Sequence, residues 1–189
     1  MSLMPVAEKM TAKQFMALPE TDSSRWTELI EGEIVVNDPD AFHGLVVTNL
    51  LFALVAWSRA EPGRGYAVVP RDTEVDQRNV FKPDVLWCAR PLADPHARPP
   101  YPMPDLAVEV RSRSTWRYNL GVKKTRYEQH GLTELWLVDT VARSVLVFRR
   151  SAPRAAGFDV ALEFESGDQV TSPQLPGFAL PVDAAFAIH

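Results

Sequence analysis

A chain of 189 residues, 46% apolar and 23% charged, is long enough to bury one sizeable core, and its composition excludes a disordered protein. The single cysteine, Cys88, excludes an internal disulfide framework and a multi-cysteine zinc site; it reads as a small buried hydrophobe on a strand and suits a reducing cytoplasm. The formal net charge of −4 does not mark a nucleic-acid binder, yet residues 111–130 hold six basic side chains against Glu128 alone, so a local basic patch sits on an otherwise acidic protein.

The opening "MSLMPVAEKMTAKQF" lacks the continuous apolar stretch of a secretory signal, which makes the cytoplasm the expected location. Thr11 and Gln14 form a capping-box pattern that opens a short helix through Leu18, stopped by Pro19. "RWTELIEGEIVV" alternates around Glu31 and Gly32 and predicts a hairpin with strands at 25–30 and 33–37. Residues 43–60 are Leu-rich and apolar on most faces, which predicts a largely buried helix against a sheet. Its longest apolar run, Leu50 to Trp57, is shorter than the roughly 20 residues of a membrane span, so no membrane partner is expected.

Three strands are predicted next, at 66–70, 72–76 and 84–88, and after a Pro-rich loop a fourth at 105–111. Residues 115–130 form a helix with Gly131 just past its end. "LTELWLVDT" and "SVLVFRR" are further strands, and the tail gives one more strand, a Ser-Gly-Asp turn and a Pro-rich ending expected to wrap the outside. The class is mixed α/β, one domain over 1–189.

Pro-Asp occurs twice near the fourth strand, at Pro83-Asp84 and Pro104-Asp105, and the strand itself carries Glu109 among apolar residues. Asp105 and Glu109 face the same side of one strand but lie roughly 13 Å apart at about 3.3 Å per residue. That is too far to share a hard cation whose metal–oxygen distances are about 2.0–2.6 Å. Asp84 starts a different strand, and pairing 84–88 beside 105–111 brings it to Glu109, because neighbouring strands lie about 4.8 Å apart. Two carboxylates and a backbone carbonyl, here that of Val110, leave positions open on Mg²⁺ or Mn²⁺ for water and a phosphate oxygen.

Arg111 follows Glu109 by two residues, where a lysine would complete a PD-(D/E)XK nuclease motif. Arginine clamps phosphate well but is a poor general base. Lys123 and Lys124 on the following helix are substitutes, each about 50° from an inward stripe defined by Leu120 and Tyr127, so helical pitch does not choose between them. Arg113, Arg117 and Lys124 add phosphate-binding charge.

With these residues in place, the chain resembles the Uma-type restriction endonuclease family of the PD-(D/E)XK nuclease superfamily over nearly its whole length. The resemblance lies in "WTELIEGEIV", in "KPDVLW", in "PDLAVEVRSRST", in "NLGVKKTRYEQHGLTELWLVD" and in the closing "SGDQVTSPQLPGFALPVDAAF". It implies a restriction-endonuclease-like core, a central mixed sheet flanked by helices with an added N-terminal hairpin. It also implies Asp84 and Glu109 as metal ligands and Lys123, four residues before Tyr127, as the lysine that moved from strand to helix. Glu28 becomes a further ligand or water-orienting carboxylate, and His43 a donor to phosphate or to a ligand carboxylate. Two positions depart from the family pattern: Arg113 stands where Pro is usual between the two serines, and Asn119 stands where Asp is usual four residues before the lysine.

The expected activity is Mg²⁺-dependent or Mn²⁺-dependent hydrolysis of DNA phosphodiesters by a homodimer, the dimer resting on family analogy. The alternatives are a non-catalytic nucleic-acid- or protein-binding module on a nuclease-like fold, and a metal hydrolase for a small phosphodiester.

Overall fold

The computed structural model describes residues 9–19, 26–94 and 96–188, so residues 1–8 and the Arg25 start of the first expected strand lie outside it. Helix α1 (Ala12–Met16) opens on its capping box, in which the Gln14 Oε1 atom accepts the Thr11 backbone N–H at 2.7 Å. β1 (Thr27–Ile30) and β2 (Glu33–Val36) form the expected hairpin. Its turn places Glu31 and Gly32 at φ 52° and 79°, the left-handed pair that matches strand twist, and a Cβ at Gly32 would meet Lys9 Cβ at 2.6 Å.

Helix α2 (Ala41–Ala60) starts two residues earlier than the sequence pattern indicates, because Asp40 caps it by accepting the His43 N–H at 2.8 Å. It is not buried on most faces. Val46, Leu50, Leu54 and Trp57 form one buried stripe, while Phe52 is 74% exposed on the other side. As a whole, this 20-residue helix is long and apolar enough for a membrane span by length and composition, but its buried stripe is locked into the core.

The chain then gives β3 (Tyr66–Val68), β4 (Thr73–Asp76) and β5 (Asn79–Phe81). The last is a strand of three residues, too short for an alternation signal, and it changes the architecture. Through it the hairpin becomes part of a four-stranded sheet, β2-β1-β5-β4, and is not a simple addition. β6 (Val85–Cys88) and β7 (Leu106–Val110) follow, then a crossover made of α3 (Trp116–Tyr118), a π-helical turn (Asn119–Lys123) and α4 (Lys124–Gln129). β8 (Glu134–Asp139), β9 (Ser144–Arg149) and β10 (Val160–Phe164) complete a six-stranded mixed sheet of order β10-β9-β8-β7-β6-β3. β7 and β8 run parallel, which is why a helical crossover lies between them.

β11 (Gln169–Val170), β12 (Leu180–Pro181) and α5 (Val182–Ala185) end the chain. This segment does not merely wrap the outside. Leu175, Phe178, Val182 and Phe186 pack with the α2 stripe onto one face of the six-stranded sheet, with Trp57 and Phe178 rings edge to face at 6.3 Å. Each such side chain contributes about 1.5–3 kcal/mol on full burial. Buried Glu134 ties the segment down by accepting from Ser172 Oγ at 2.6 Å and from Gln174 Nε2 at 3.3 Å. The opposite face of the sheet meets Phe81, Tyr127, Leu132 and Ile30. Along β7, Leu106, Val108 and Val110 point to the α2 side, so by alternation Ala107 and Glu109 point to the other, between the two sheets.

Candidate active site

β6 and β7 pair antiparallel with Val85 opposite Val108, which sets Asp84 opposite Glu109 at the end of the ladder. The Asp84 Oδ2 atom accepts the Val110 N–H at 2.7 Å, and Oδ1 lies 3.4 Å from His43 Nε2. Asp105 sits apart and accepts the Ala89 N–H at 2.7 Å, the part of a strand-entry residue.

Glu28, from the four-stranded sheet, and Lys123, from the crossover, close the cluster. The Lys123 ammonium is 2.8 Å from Glu28 Oε1 and 2.7 Å from the Glu109 carboxylate, and Glu28 Oε1 also accepts the Lys82 N–H at 2.6 Å. The Tyr127 hydroxyl donates to Glu109 Oε1 at 2.7 Å. Glu28, His43, Asp84, Glu109, Lys123 and Tyr127 are all buried.

The π-helical turn explains why Lys123, and not Lys124, faces this centre. Four residues at 100° each overshoot a turn by about 40°, and the wider i→i+5 turn takes up that drift. Asn119, Lys123 and Tyr127 thereby share one buried stripe. Leu120, expected to face inward, is 45% exposed. Lys124 points elsewhere, its ammonium over the Phe148 ring at 4.6 Å, which removes it from the expected phosphate-binding set.

Arg111 also differs from expectation. Its guanidinium Nη1 bonds both oxygens of Asp139 at 3.0 and 2.9 Å and lies over the Trp116 ring, so its charge is largely matched within the protein. Arg113 and Arg117 are exposed and line, with Arg111, a groove of about 940 Å³. A second cavity, about 30 Å³ and the size of one water, is bordered by Trp26, Glu28, Asn37, Lys82 and Asp84.

Two buried carboxylates, those of Glu28 and Glu109, share the Lys123 ammonium, and a third, that of Asp84, lies beside the His43 imidazole. Burial pushes the Glu109 carboxyl up to about 7 against the pull of Lys123, with Glu28 and Asp84 adding to the rise. Burial alone would lower the Lys123 ammonium, but Glu109 and Glu28 outweigh it and hold it well above the ordinary lysine range. Burial likewise lowers His43, and Asp84 reverses this to leave it raised. Asp84 and Glu109, hard carboxylate donors on facing strand positions, are a donor set that fits a divalent cation such as Mg²⁺. Among the described residues no three His, Cys, Asp or Glu side chains form a ready cage, so backbone and water would complete the coordination.

Sequence reasoning passed over three participants. Tyr127 was visible only as a core position and a landmark for Lys123, Asp139 only as a strand end, and Asn119 only as a departure from a pattern; both side-chain amide atoms of Asn119 are buried without a partner among the described residues.

A family model described as "Uma2: Putative restriction endonuclease" matches residues 12–183. The chain belongs to the Uma2 family. A solved structure titled as a "putative nuclease belonging to DUF820" from Anabaena variabilis ATCC 29413 aligns with a TM-score of 0.74 at 19% identity, covering 94% of this chain and 97% of that one. At that identity the likeness concerns the fold, which is restriction-endonuclease-like. A search of the curated proteins finds no match. The Uma2 membership and this fold together mark the chain as a nuclease-type protein.

Proposed function

We propose that this Uma2 protein is a divalent-metal-dependent endonuclease that hydrolyses DNA phosphodiester bonds. The observation that carries the reading is the buried group in which Glu28 and Glu109 share the Lys123 ammonium while Asp84, opposite Glu109, lies beside His43.

Asp84, Glu109 and the Val110 carbonyl would hold Mg²⁺ or Mn²⁺. When bound, such a cation acidifies a water and offsets charge developing on the phosphate. Lys123, kept protonated by its two carboxylates, serves as a fixed positive charge beside the reacting phosphate and not as a base. Glu28, whose Oε1 is committed to Lys123 and the Lys82 N–H, presents its other oxygen to orient the attacking water. Tyr127 donates to Glu109 and the Val110 N–H donates to Asp84, so both ligand carboxylates are steered by a donor, with the His43 imidazole 3.4 Å from Asp84. Arg113 and Arg117 position phosphate. Action in the cytoplasm as a homodimer belongs to the same reading, and sedimentation of the purified chain with and without DNA tests the dimer.

The deciding experiment is cleavage of linear and supercoiled DNA in Mg²⁺ or Mn²⁺, with calorimetric Mn²⁺ binding alongside. Asp84→Ala is expected to lose both, and Lys123→Ala to lose cleavage while keeping metal binding. Full cleavage by Lys123→Ala sinks the assignment. A second reading, a non-catalytic binding module, draws on Lys123 already bridging Glu28 and Glu109; absence of Mn²⁺ binding at millimolar concentration would favour it.

A further inference from the structure

The groove of about 940 Å³ is lined by Asp40, whose Oδ1 accepts the His43 N–H at 2.8 Å, and His43 in turn lies 3.4 Å from Asp84 of the carboxylate cluster. Asp38 follows Asn37, which borders the small cavity beside Glu28 and Asp84, and Arg111 lies two residues beyond Glu109. The Ser114 Oγ atom accepts the Asp38 N–H at 3.1 Å and ties the two walls together. We propose that this groove holds an unpaired DNA strand leading to the scissile phosphate, which makes the enzyme selective for single strands or overhangs over blunt duplex. The inference rests on the hydrolytic reading above and names its substrate class.

Size carries the first part of the argument. A groove of about 940 Å³ is on the scale of a small-ligand site and too small to enclose a duplex, whose major groove alone is about 12 Å wide. A narrow groove carrying basic side chains is the form that tracks a single strand. The distribution of charge carries the second part. With Arg111 matched by Asp139, the cations available for phosphate are Arg113 and Arg117, both exposed. Arg113 makes no ion pair among the described residues, and Arg117 bonds only the Tyr118 hydroxyl, at 2.9 Å.

Asp38 and Asp40 line the same groove and repel phosphate. Their oxygens instead suit the amino groups of exposed base edges, which a closed duplex keeps paired. A strand with its phosphates on Arg113 and Arg117 and its bases toward Asp38 and Ser114 satisfies both sets. The half-buried Trp116, under the Arg111 guanidinium at 5.4 Å, forms a flat wall beside them.

The test is metal-free fluorescence anisotropy with a short labelled single strand, the same strand in blunt duplex, and that duplex with an overhang. The single strand and the overhang are expected to bind about tenfold or more tighter than blunt duplex, and Arg113→Glu with Arg117→Glu to abolish that margin with a shallower salt dependence. Both charge reversals lie on exposed side chains, and circular dichroism checks that the fold is kept. Blunt duplex binding as tightly as single strand, or unchanged single-strand affinity in the double variant, overturns the inference. A wild type that cuts DNA yet prefers blunt duplex overturns the groove assignment alone. A wild type that prefers single strand yet cuts nothing in Mn²⁺ upholds the groove and overturns the hydrolytic reading.

Discussion

The Tyr127 hydroxyl and the Glu109 carboxylate lie 2.7 Å apart, both fully enclosed, on two elements that the crossover brings face to face. A phenol donating to a carboxylate favours its ionised form. Tyr127→Phe keeps the ring and its edge contact with Phe81 at 5.1 Å but removes that donor. The expected result is about tenfold weaker Mn²⁺ affinity with a stability loss of about 1 kcal/mol. Calorimetry and urea unfolding check it, and unchanged affinity would show that Glu109 needs no support.

Removing Lys123 exposes a different quantity. Lys123→Met replaces a buried ammonium with an apolar chain and strands two carboxylates, which costs about 3–5 kcal/mol in metal-free protein. Because a dication would supply the missing charge, the deficit is expected to shrink in saturating Mn²⁺. Urea unfolding with and without metal measures the difference. An equal deficit in both conditions argues against cation binding at this centre.

Glu109 also sets a pH dependence. Its carboxyl is raised from the ordinary 4.5 to about 7, so in metal-free protein the folded state keeps a proton that the unfolded chain has released. The stability from this group is fully present below about 4.5 and is lost as pH rises through about 7. Metal competes with that proton, and Mn²⁺ affinity is therefore expected to rise with pH across the same interval. Titration calorimetry at several pH values checks the slope; a flat profile contradicts an ionisation at Glu109.

Asn119 offers a stability prediction of opposite sign. Its amide oxygen and nitrogen are both buried and unpaired among the described residues, which costs about 1–3 kcal/mol for each unsatisfied group. Asn119→Leu, with the same branching of side-chain heavy atoms and none of them polar, is expected to raise the unfolding midpoint. Scanning calorimetry decides, and a lower midpoint would mean that ordered water already satisfies the amide.

Much of the site was legible because strands have a strict period. Parity and rise alone separated Asp84 from Asp105 as the partner of Glu109, and the ladder of β6 with β7 has that register. The helix was harder. A fixed 100° per residue leaves Lys123 and Lys124 equivalent, and the π-helical turn that separates them carries no periodic signal of its own. Long-range pairing was harder still: nothing within 20 residues of Glu28 predicts Lys123, and nothing near Arg111 predicts Asp139. The three-residue β5 and the buried C-terminal segment escaped for a related reason, since short apolar stretches acquire their faces only from what packs on them.

Glu28 and Lys123 stand 95 residues apart, one on each side of the interface between the two sheets. During synthesis the glutamate emerges first and has no counter-charge until the crossover has formed and β8 has paired alongside β7. The cluster that would cut DNA therefore cannot exist in a nascent or half-folded chain. Whatever loosens the seam between the sheets also separates Lys123 from Glu28, so the cluster exists only in the assembled fold.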